Sequence, residues 1–166
     1  MAKGNDITKP KNLYVYNAPT KLPIKVLSTD VAAGEPLLNS AKIDGNKVVY
    51  AKMRSDGMGS DIWLFTINAD NTGGITTQIS SNSVKHFRAR PDISGSKIIY
   101  QNFDIMGGGT VKRGDLVMVD AVPNAPETLI KAKMAMVGNH WEYEEPSVNI
   151  SSKIDGDWVV WRDYIY

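Results

Sequence analysis

The amino-acid sequence contains an internal repeat, and this repeat limits the fold more than any other feature of the chain. Three prolines, Pro36, Pro91 and Pro146, follow one another at intervals of 55 residues. After each proline comes an isoleucine, one polar residue and a glycine, and then two β-branched residues and an aromatic one. A period of this size indicates similar units that stack on one another. The copies are Ile43-Asp44-Gly45 with Val48-Val49-Tyr50, Ile93-Ser94-Gly95 with Ile98-Ile99-Tyr100, and Ile154-Asp155-Gly156 with Val159-Val160-Trp161.

Short runs of β-favouring residues recur between these segments. The longer runs cover residues 13–16, 61–66 and 115–119, and shorter ones follow at 24–28, 76–80 and 128–130. Each full repeat therefore contains four apolar stretches of strand length, which predicts units of four short strands. Helical periodicity is weak throughout. Only residues 130–137 fit a short helix, and a strand with its loop explains them equally well.

Turn residues support these strands. Asp44-Gly45, Ser94-Gly95 and Asp155-Gly156 are typical of hairpins, because glycine tolerates the positive φ that such turns need. They are expected to join the first strand of each unit to the second. Residues 68–74 and 121–126 predict the hairpins between the third and fourth strands. We expect Gly-rich loops over residues 54–60 and 104–113, between the second and third strands.

Four short antiparallel strands per repeat are typical of the blades of a β-propeller, an all-β fold. The sequence also resembles one family of such folds. The segments Asp61-Ile62-Trp63-Leu64-Phe65, Asn68-Ala69-Asp70, Thr77-Gln78-Ile79 and Pro91-Asp92-Ile93-Ser94-Gly95-Ser96-Lys97-Ile98-Ile99-Tyr100 are similar to the repeats of the TolB-like β-propellers. This resemblance assigns residues 12–166 to propeller repeats. It leaves residues 1–11, which are mostly polar, as a flexible N-terminal lead-in.

The resemblance implies an architecture more than a function. The TolB-like propellers include periplasmic translocation proteins, gating domains of peptidases, lyases and cell-surface modules, and the repeat motif itself carries no catalytic residue. The family favours a periplasmic or extracellular location. Residues 1–6 nevertheless lack the pattern of a secretory signal, so the residues alone leave the cytoplasm and an exported mature form both open.

The order of the predicted strands divides the first and last blades in half. The chain begins with the third and fourth strands of a blade, continues through two complete blades, and ends with the first and second strands of another. About three blades' worth of strands is too few to close a propeller, which needs at least four blades. The predicted assembly edges are Leu13, Tyr14, Val15 and Tyr16 at one end, and Trp158, Val159, Val160 and Trp161 at the other.

The two half-blades are complementary, so we expect a second copy to complete a six-bladed ring by strand addition. This makes a homodimer the favoured assembly. The same head-to-tail contact produces a filament if the rotation between copies does not close. A third alternative is that the chain is a piece of a longer propeller.

The amino-acid composition excludes several functional classes of protein. The absence of cysteine excludes a disulfide framework, a zinc ribbon and a cysteine nucleophile. The 19 basic and 18 acidic residues give a net charge of +1, and no long basic run is present, so nucleic acid is not an expected partner. No apolar run approaches the about 20 residues of a membrane span, and we expect none.

Two histidine–aromatic pairs, His86-Phe87 and His140-Trp141, precede the innermost strands of their units. Histidines near a central channel could bind zinc or manganese. Packing of each pair between blades is the favoured interpretation, because no metal-ligand spacing accompanies them. The candidate ligand-binding residues are His86, Arg88, Arg90, His140, Trp141, Glu142 and Glu144.

Other residues give weaker signals. Asp56, Asp61, Asp70 and Asp104 lie in or beside Gly-rich loops where calcium sites often form. Turn formation explains Asn68-Ala69-Asp70 better, because the repeated acidic ligands of a calcium loop are missing. Aromatic residues concentrate near the end of the chain, and they could stack on sugars, although packing between blades is favoured. They are Trp141, Tyr143, Trp158, Trp161, Tyr164 and Tyr166. No catalytic residue and no cofactor are predicted.

Three functions are compatible with these observations. The first is a non-enzymatic binding or assembly module that binds itself and, on its loop face or in its channel, a protein or glycan. The second is a metal-dependent polysaccharide lyase or hydrolase that uses channel histidines. The third is a structural subunit of a surface filament. The sequence favours the first.

Overall fold

The computed structural model describes residues 12–19, 21–28, 41–54, 59–80, 86–106, 110–131, 136–137, 140–141 and 152–161. Within these ranges the protein is all-β, as predicted, and no helix able to cross a membrane occurs there. The strands are β1 (Asn12–Asn17), β2 (Leu22–Ser28), β3 (Lys42–Asp44), β4 (Lys47–Met53), β5 (Ser60–Ile67), β6 (Gly74–Gln78), β7 (His86–Ser94), β8 (Lys97–Met106), β9 (Thr110–Asp120), β10 (Thr128–Lys131), β11 (Met136–Val137), β12 (His140–Trp141), β13 (Lys153–Asp155) and β14 (Trp158–Val160). The predicted lead-in over residues 1–11 lies outside the described residues.

Two antiparallel four-stranded arrangements form the centre of the described chain. Sheet 1 contains β3, β4, β5 and β6, and sheet 2 contains β7, β8, β9 and β10, with each strand paired to the next in the sequence. A single parallel pair, Ser60 with Phe87, connects the two. Two-stranded sheets are formed by the N-terminal hairpin β1–β2, the C-terminal hairpin β13–β14, and β11 with β12. The sheets do not close into a barrel.

Both faces of sheet 1 are apolar. Along β4, Val48 and Tyr50 belong to one hydrophobic cluster and Val49 and Ala51 to another, because successive side chains of a strand point to opposite faces. All four residues are at most 2% exposed. A strand that is covered on both faces has a continuous apolar run in place of an alternating pattern. The run over residues 48–51 therefore requires a neighbour on each side of the sheet.

Three hydrophobic layers supply these neighbours. The first lies between the N-terminal hairpin and sheet 1 and contains Ile24, Val26, Val48, Tyr50, Phe65 and Ile67. The second joins sheets 1 and 2 and includes Val49, Ala51, Ile62, Leu64, Ile93, Ile98, Tyr100, Val117 and Val119. The third lies between sheet 2 and the C-terminal hairpin and contains Ile99, Leu116 and Ile154, with Met118, Ile130 and Val159 packed against them. The described chain is thus a face-to-face stack of hairpin, sheet, sheet and hairpin.

Glycine permits the first turn of each unit. Gly45, Gly95 and Gly156 have φ angles of 55°, 58° and 55°, whereas the residue after each glycine does not have a positive φ. Glycine at the first of two central positions is typical of a type II′ turn, whose twist matches that of the flanking strands. A Cβ added at any of these glycines would meet nothing within 4 Å. The backbone conformation, and not lack of space, therefore requires glycine.

Several predicted boundaries were wrong, among them two beside glycines. Most of the segment 104–113, predicted as a loop, is a strand pair, since β8 extends to Met106 and β9 begins at Thr110. β-favouring residues such as Ile105, which pairs with Val111, extend the ladder on both sides of the glycines. The fourth strand of sheet 1 begins at Gly74, two residues earlier than predicted. An added Cβ at Gly74 would overlap the Thr66 carbonyl oxygen and the Phe65 ring, so glycine allows this close approach. In the segment 130–137, the described residues are strands.

The turn glycines give a first prediction. We expect Gly95→Ala to destabilise the protein by about 1–2 kcal/mol, because alanine in the left-handed region places its Cβ too close to the backbone. Gly73→Ala is the control, since the backbone there is not left-handed and the nearest atom to an added Cβ is Asn68 Nδ2 at 3.9 Å. Urea unfolding should show a change within about 0.5 kcal/mol for the control. Equal changes in the two variants would contradict this account of the turn.

Candidate functional site

The first turns of successive units are hydrogen-bonded to one another. The Gly95 N–H donates to the carboxylate of Asp44, and the Gly156 N–H donates to Ser94 Oγ at 2.9 Å. Asp44 and Ser94 occupy the same position of the repeat, directly before the turn glycine. The same type of contact therefore joins sheet 1 to sheet 2 and sheet 2 to the C-terminal hairpin.

The first strands of the units, β3, β7 and β13, also lie next to one another. Asp92 on β7 accepts a hydrogen bond from the Ile154 N–H at 3.2 Å and lies 3.8 Å from Lys153 Nζ. Lys42 occupies on β3 the position that Lys153 occupies on β13. The pKa of Lys42 is lowered, mainly because Lys153 lies beside it. Two lysines thus lie near one carboxylate on the first strands of the three units.

A buried ionic network connects sheets 1 and 2 around Arg88. This arginine is 1% exposed, and its Nη1 lies 3.1 Å from Oδ1 of Asp61 while its Nε lies 3.3 Å from Oε1 of Glu127. Ser60 Oγ accepts the Arg88 N–H at 3.0 Å and donates to the Arg88 carbonyl at 2.7 Å. Ser80 Oγ donates to Asp61 Oδ1 at 3.4 Å. Both the backbone and the side chain of Arg88 are therefore committed to contacts inside the protein.

Tyr100 extends this network toward the surface. Its hydroxyl donates to Glu127 Oε1 at 2.7 Å, and Asn102 Nδ2 donates to Glu127 Oε2 at 3.1 Å. Burial, followed by the hydrogen bond to Glu127, raises the pKa of Tyr100 far above its usual value. The tyrosine therefore remains a protonated hydrogen-bond donor, which makes it unsuitable as a general base.

Arg90 lies at a bulge in β7. Ala89 pairs with Gln101 and Asp92 pairs with Ile99, so that Arg90 and Pro91 together stand opposite Tyr100. Arg90 has a φ of 53°, a region that residues other than glycine rarely adopt. The bulge turns the strand locally and allows the buried Pro91 to occupy a position where no ladder hydrogen bond is needed.

The structure describes only part of the predicted ligand-binding set. Arg88 and Arg90 lie on β7, where Arg88 is held in the buried network. His86 is at the beginning of β7, and His140 and Trp141 form β12. Glu142 and Glu144 lie outside the described residues. Among the residues that are described, no group of three or more histidine, aspartate or glutamate side chains could hold a metal ion.

Asp61 and Asp70 have other partners. Asp61 is 3% exposed and pairs with Arg88. Asp70 Oδ1 accepts the Thr72 N–H at 3.1 Å, and this hydrogen bond lowers the pKa of Asp70. The hydrogen bond between Thr72 and Asp70 belongs to a turn, as the sequence favoured for Asp70. Nothing in the sequence pointed to Glu127, because it lies in the connection that follows the β9–β10 turn and outside the repeated pattern.

The predicted assembly edges divide into covered and exposed side chains. Leu13, Val15 and Val159 are partly buried in the first and third layers. The side chains between them are exposed: Tyr14 is 52%, Tyr16 62%, Trp158 81%, Val160 67% and Trp161 39% exposed. Each terminal hairpin therefore covers the sheet beside it with one face and presents aromatic and aliphatic side chains on the other.

Comparison of the chain with protein-family models, with curated proteins and with solved structures finds no match.

The Arg88 network gives a second prediction. We expect Arg88→Met to destabilise the protein by about 3–5 kcal/mol, because it leaves the carboxylate of Asp61 buried without its cation. Lys97→Met is the matched control: Lys97 Nζ lies 2.6 Å from Asp120 Oδ1, but the two side chains are 41% and 55% exposed. Its expected effect is below about 1 kcal/mol. Urea unfolding compares the two, and similar losses would show that the buried pair is not specially important.

Proposed function

We propose that this protein is a non-enzymatic assembly module, a partial β-propeller that associates with a second copy through its terminal hairpins. In this interpretation sheets 1 and 2 are complete blades, and the N- and C-terminal hairpins are the outer and inner halves of two further blades. Each hairpin supplies two strands of a four-stranded blade. Two copies then contain six blades, which is an ordinary number for a closed propeller.

One comparison between equivalent positions carries the proposal. Val49, Ile99 and Val160 occupy the same place in the three copies of the repeat. Val49 packs toward sheet 2 and Ile99 toward the C-terminal hairpin, and both are 0% exposed, whereas Val160 is 67% exposed. The first two residues each face a following sheet of the same chain. Val160 has no such sheet among the described residues, and a following sheet from another copy would cover it in the same way.

The N-terminal hairpin supports the proposal from the other end. Its inner face, with Ile24 and Val26, is buried against sheet 1, whereas Tyr14 and Tyr16 on the other face are exposed. Within the described part of the chain, β1 pairs only with β2, and β14 only with β13. Both strands thus present an unpaired edge of N–H and C=O groups, which is a template for pairing with another chain.

The complementary edges make self-association more specific than a general apolar contact. Pairing of β14 with β1 of the other copy places the four strands in the order β13, β14, β1 and β2, which is the order found in sheets 1 and 2. Because the contact joins different surfaces of the two copies, closure needs a twofold arrangement with two such contacts. The completed ring would have a loop face and a channel, where the resemblance to TolB-like propellers implies a protein or glycan ligand.

The third prediction tests this association. Purified protein should scatter light as a particle of twice the 18.3 kDa mass of one chain. Val160→Arg should shift the mass to that of one chain, because the substitution places a charge in an interface that must be apolar. Ile75→Arg is the control, since Ile75 is 68% exposed on β6, away from both terminal hairpins. A wild-type protein with the mass of one chain at all concentrations would refute the proposal.

A further inference from the structure

A groove lies between the N-terminal hairpin and one end of sheet 1. It has a volume of about 300 Å³, and its lining includes Val15 and Tyr16 of β1, Ile24 of β2, Ile43 and Gly45 of the β3–β4 hairpin, and Ile67 of β5. Ile43 is 56% exposed. Because residues of β1 and of the β3–β4 hairpin line it, part of the groove lies next to β1, where a complete blade would have its first two strands.

Between sheets 1 and 2, a lysine side chain occupies the equivalent position. Lys47 is the second residue after Gly45, and its Nζ donates to the carbonyl of Gly95, in the turn of the following sheet, at 2.8 Å. Trp158 stands in the same position after Gly156. In the second copy of the repeat, Lys97 at this position donates instead to Asp120 of its own sheet at 2.6 Å. If Trp158 follows Lys47, its side chain is directed to the turn glycine of the next unit. Trp158 is 81% exposed, and the described chain contains no next unit for it to contact.

The series of hydrogen bonds between successive turns also ends at the C-terminal hairpin. Asp44 accepts from Gly95, and Ser94 accepts from Gly156. The next acceptor in the series is Asp155, directly before Gly156, and it has no hydrogen-bond partner among the side chains that the structure describes. The first turn glycine in the chain, Gly45, likewise receives no such contact from a preceding turn within the described ranges. Among the described residues, one acceptor and one donor of this type therefore remain without a partner in the series, at opposite ends of the stack.

We infer that the groove is the docking site for the β13–β14 hairpin of a second copy. Trp158 of the second copy fills the groove over Ile43 and Gly45, and its Asp155 carboxylate accepts the Gly45 N–H. This contact determines the register in which the two half-blades join. The inference rests on the proposed function, and it adds which surfaces meet and which hydrogen bond aligns them.

A mixing experiment tests the two sides of the contact separately. Trp158→Arg removes the hairpin side and Ile43→Arg removes the groove side, and both residues are exposed, so that folding is unaffected. Each variant alone should scatter light with the mass of one chain. An equimolar mixture should recover a two-chain particle, because one intact hairpin and one intact groove remain in each mixed pair.

A second measurement tests the register contact. Asp155→Ala should raise the dissociation constant of the two-chain particle about tenfold, through loss of a hydrogen bond to a charged group. Asp157→Ala removes a neighbouring exposed carboxylate of the same turn and should change the constant less than about twofold. Sedimentation equilibrium at several protein concentrations measures both values.

The outcomes separate this inference from the proposed function. If the wild-type protein has the mass of one chain, the proposed function fails, and the docking mode fails with it. If the wild-type protein forms a two-chain particle that Trp158→Arg and Ile43→Arg leave intact, self-association stands and this docking mode is wrong. Equal effects of Asp155→Ala and Asp157→Ala would overturn the register contact alone.

Discussion

The structure depends on the need of each sheet to bury two apolar faces. Residues 48–51 make β4 apolar on both sides, and the run Ile98-Ile99-Tyr100 does the same for β8. A sheet of this kind cannot be the outer layer of a protein, because one of its faces would contact water. The N-terminal hairpin covers the free face of sheet 1, and the C-terminal hairpin covers that of sheet 2. Each hairpin in turn has large side chains exposed on its outer face. These are Tyr14 and Tyr16 in the N-terminal hairpin, and Trp158 and Val160 in the C-terminal hairpin.

Apolar layers alone would allow neighbouring sheets to slide over one another. The Arg88 network prevents this between sheets 1 and 2, because Arg88 reaches Asp61 of one sheet and Glu127 beside the other within hydrogen-bonding distance. A buried ion pair adds little net stability, since both charges lose their hydration. Its requirement for particular distances is nevertheless strict. We therefore interpret the network as a device that fixes the relative position of the two sheets.

The repeat made the strands predictable from the sequence, but the contacts between the repeats could not be predicted. The period and the turn glycines located the turn between the first two strands of each unit, because φ near 55° at Gly45 and Gly156 is a local requirement that the residue type reveals. The loop predicted over residues 104–113 was too long, because the residues on both sides of the glycines favour strands and extend β8 to Met106 and β9 back to Thr110. Glu127 could not be found in this way. It lies outside the repeated pattern, and only the packing of β9 and β10 brings it to Arg88 and Tyr100.

The constancy of the contacts between units bears on whether an assembly closes. The same type of hydrogen bond joins sheet 1 to sheet 2 and sheet 2 to the C-terminal hairpin. In each case the N–H of a turn glycine donates to the residue directly before the turn glycine of the preceding unit. If Asp155 and Gly45 continue the series, the junction between copies repeats the junctions inside each copy. A closed six-bladed ring requires a rotation of about 60° at every junction, whereas any other rotation, or a translation along the axis, gives an open filament.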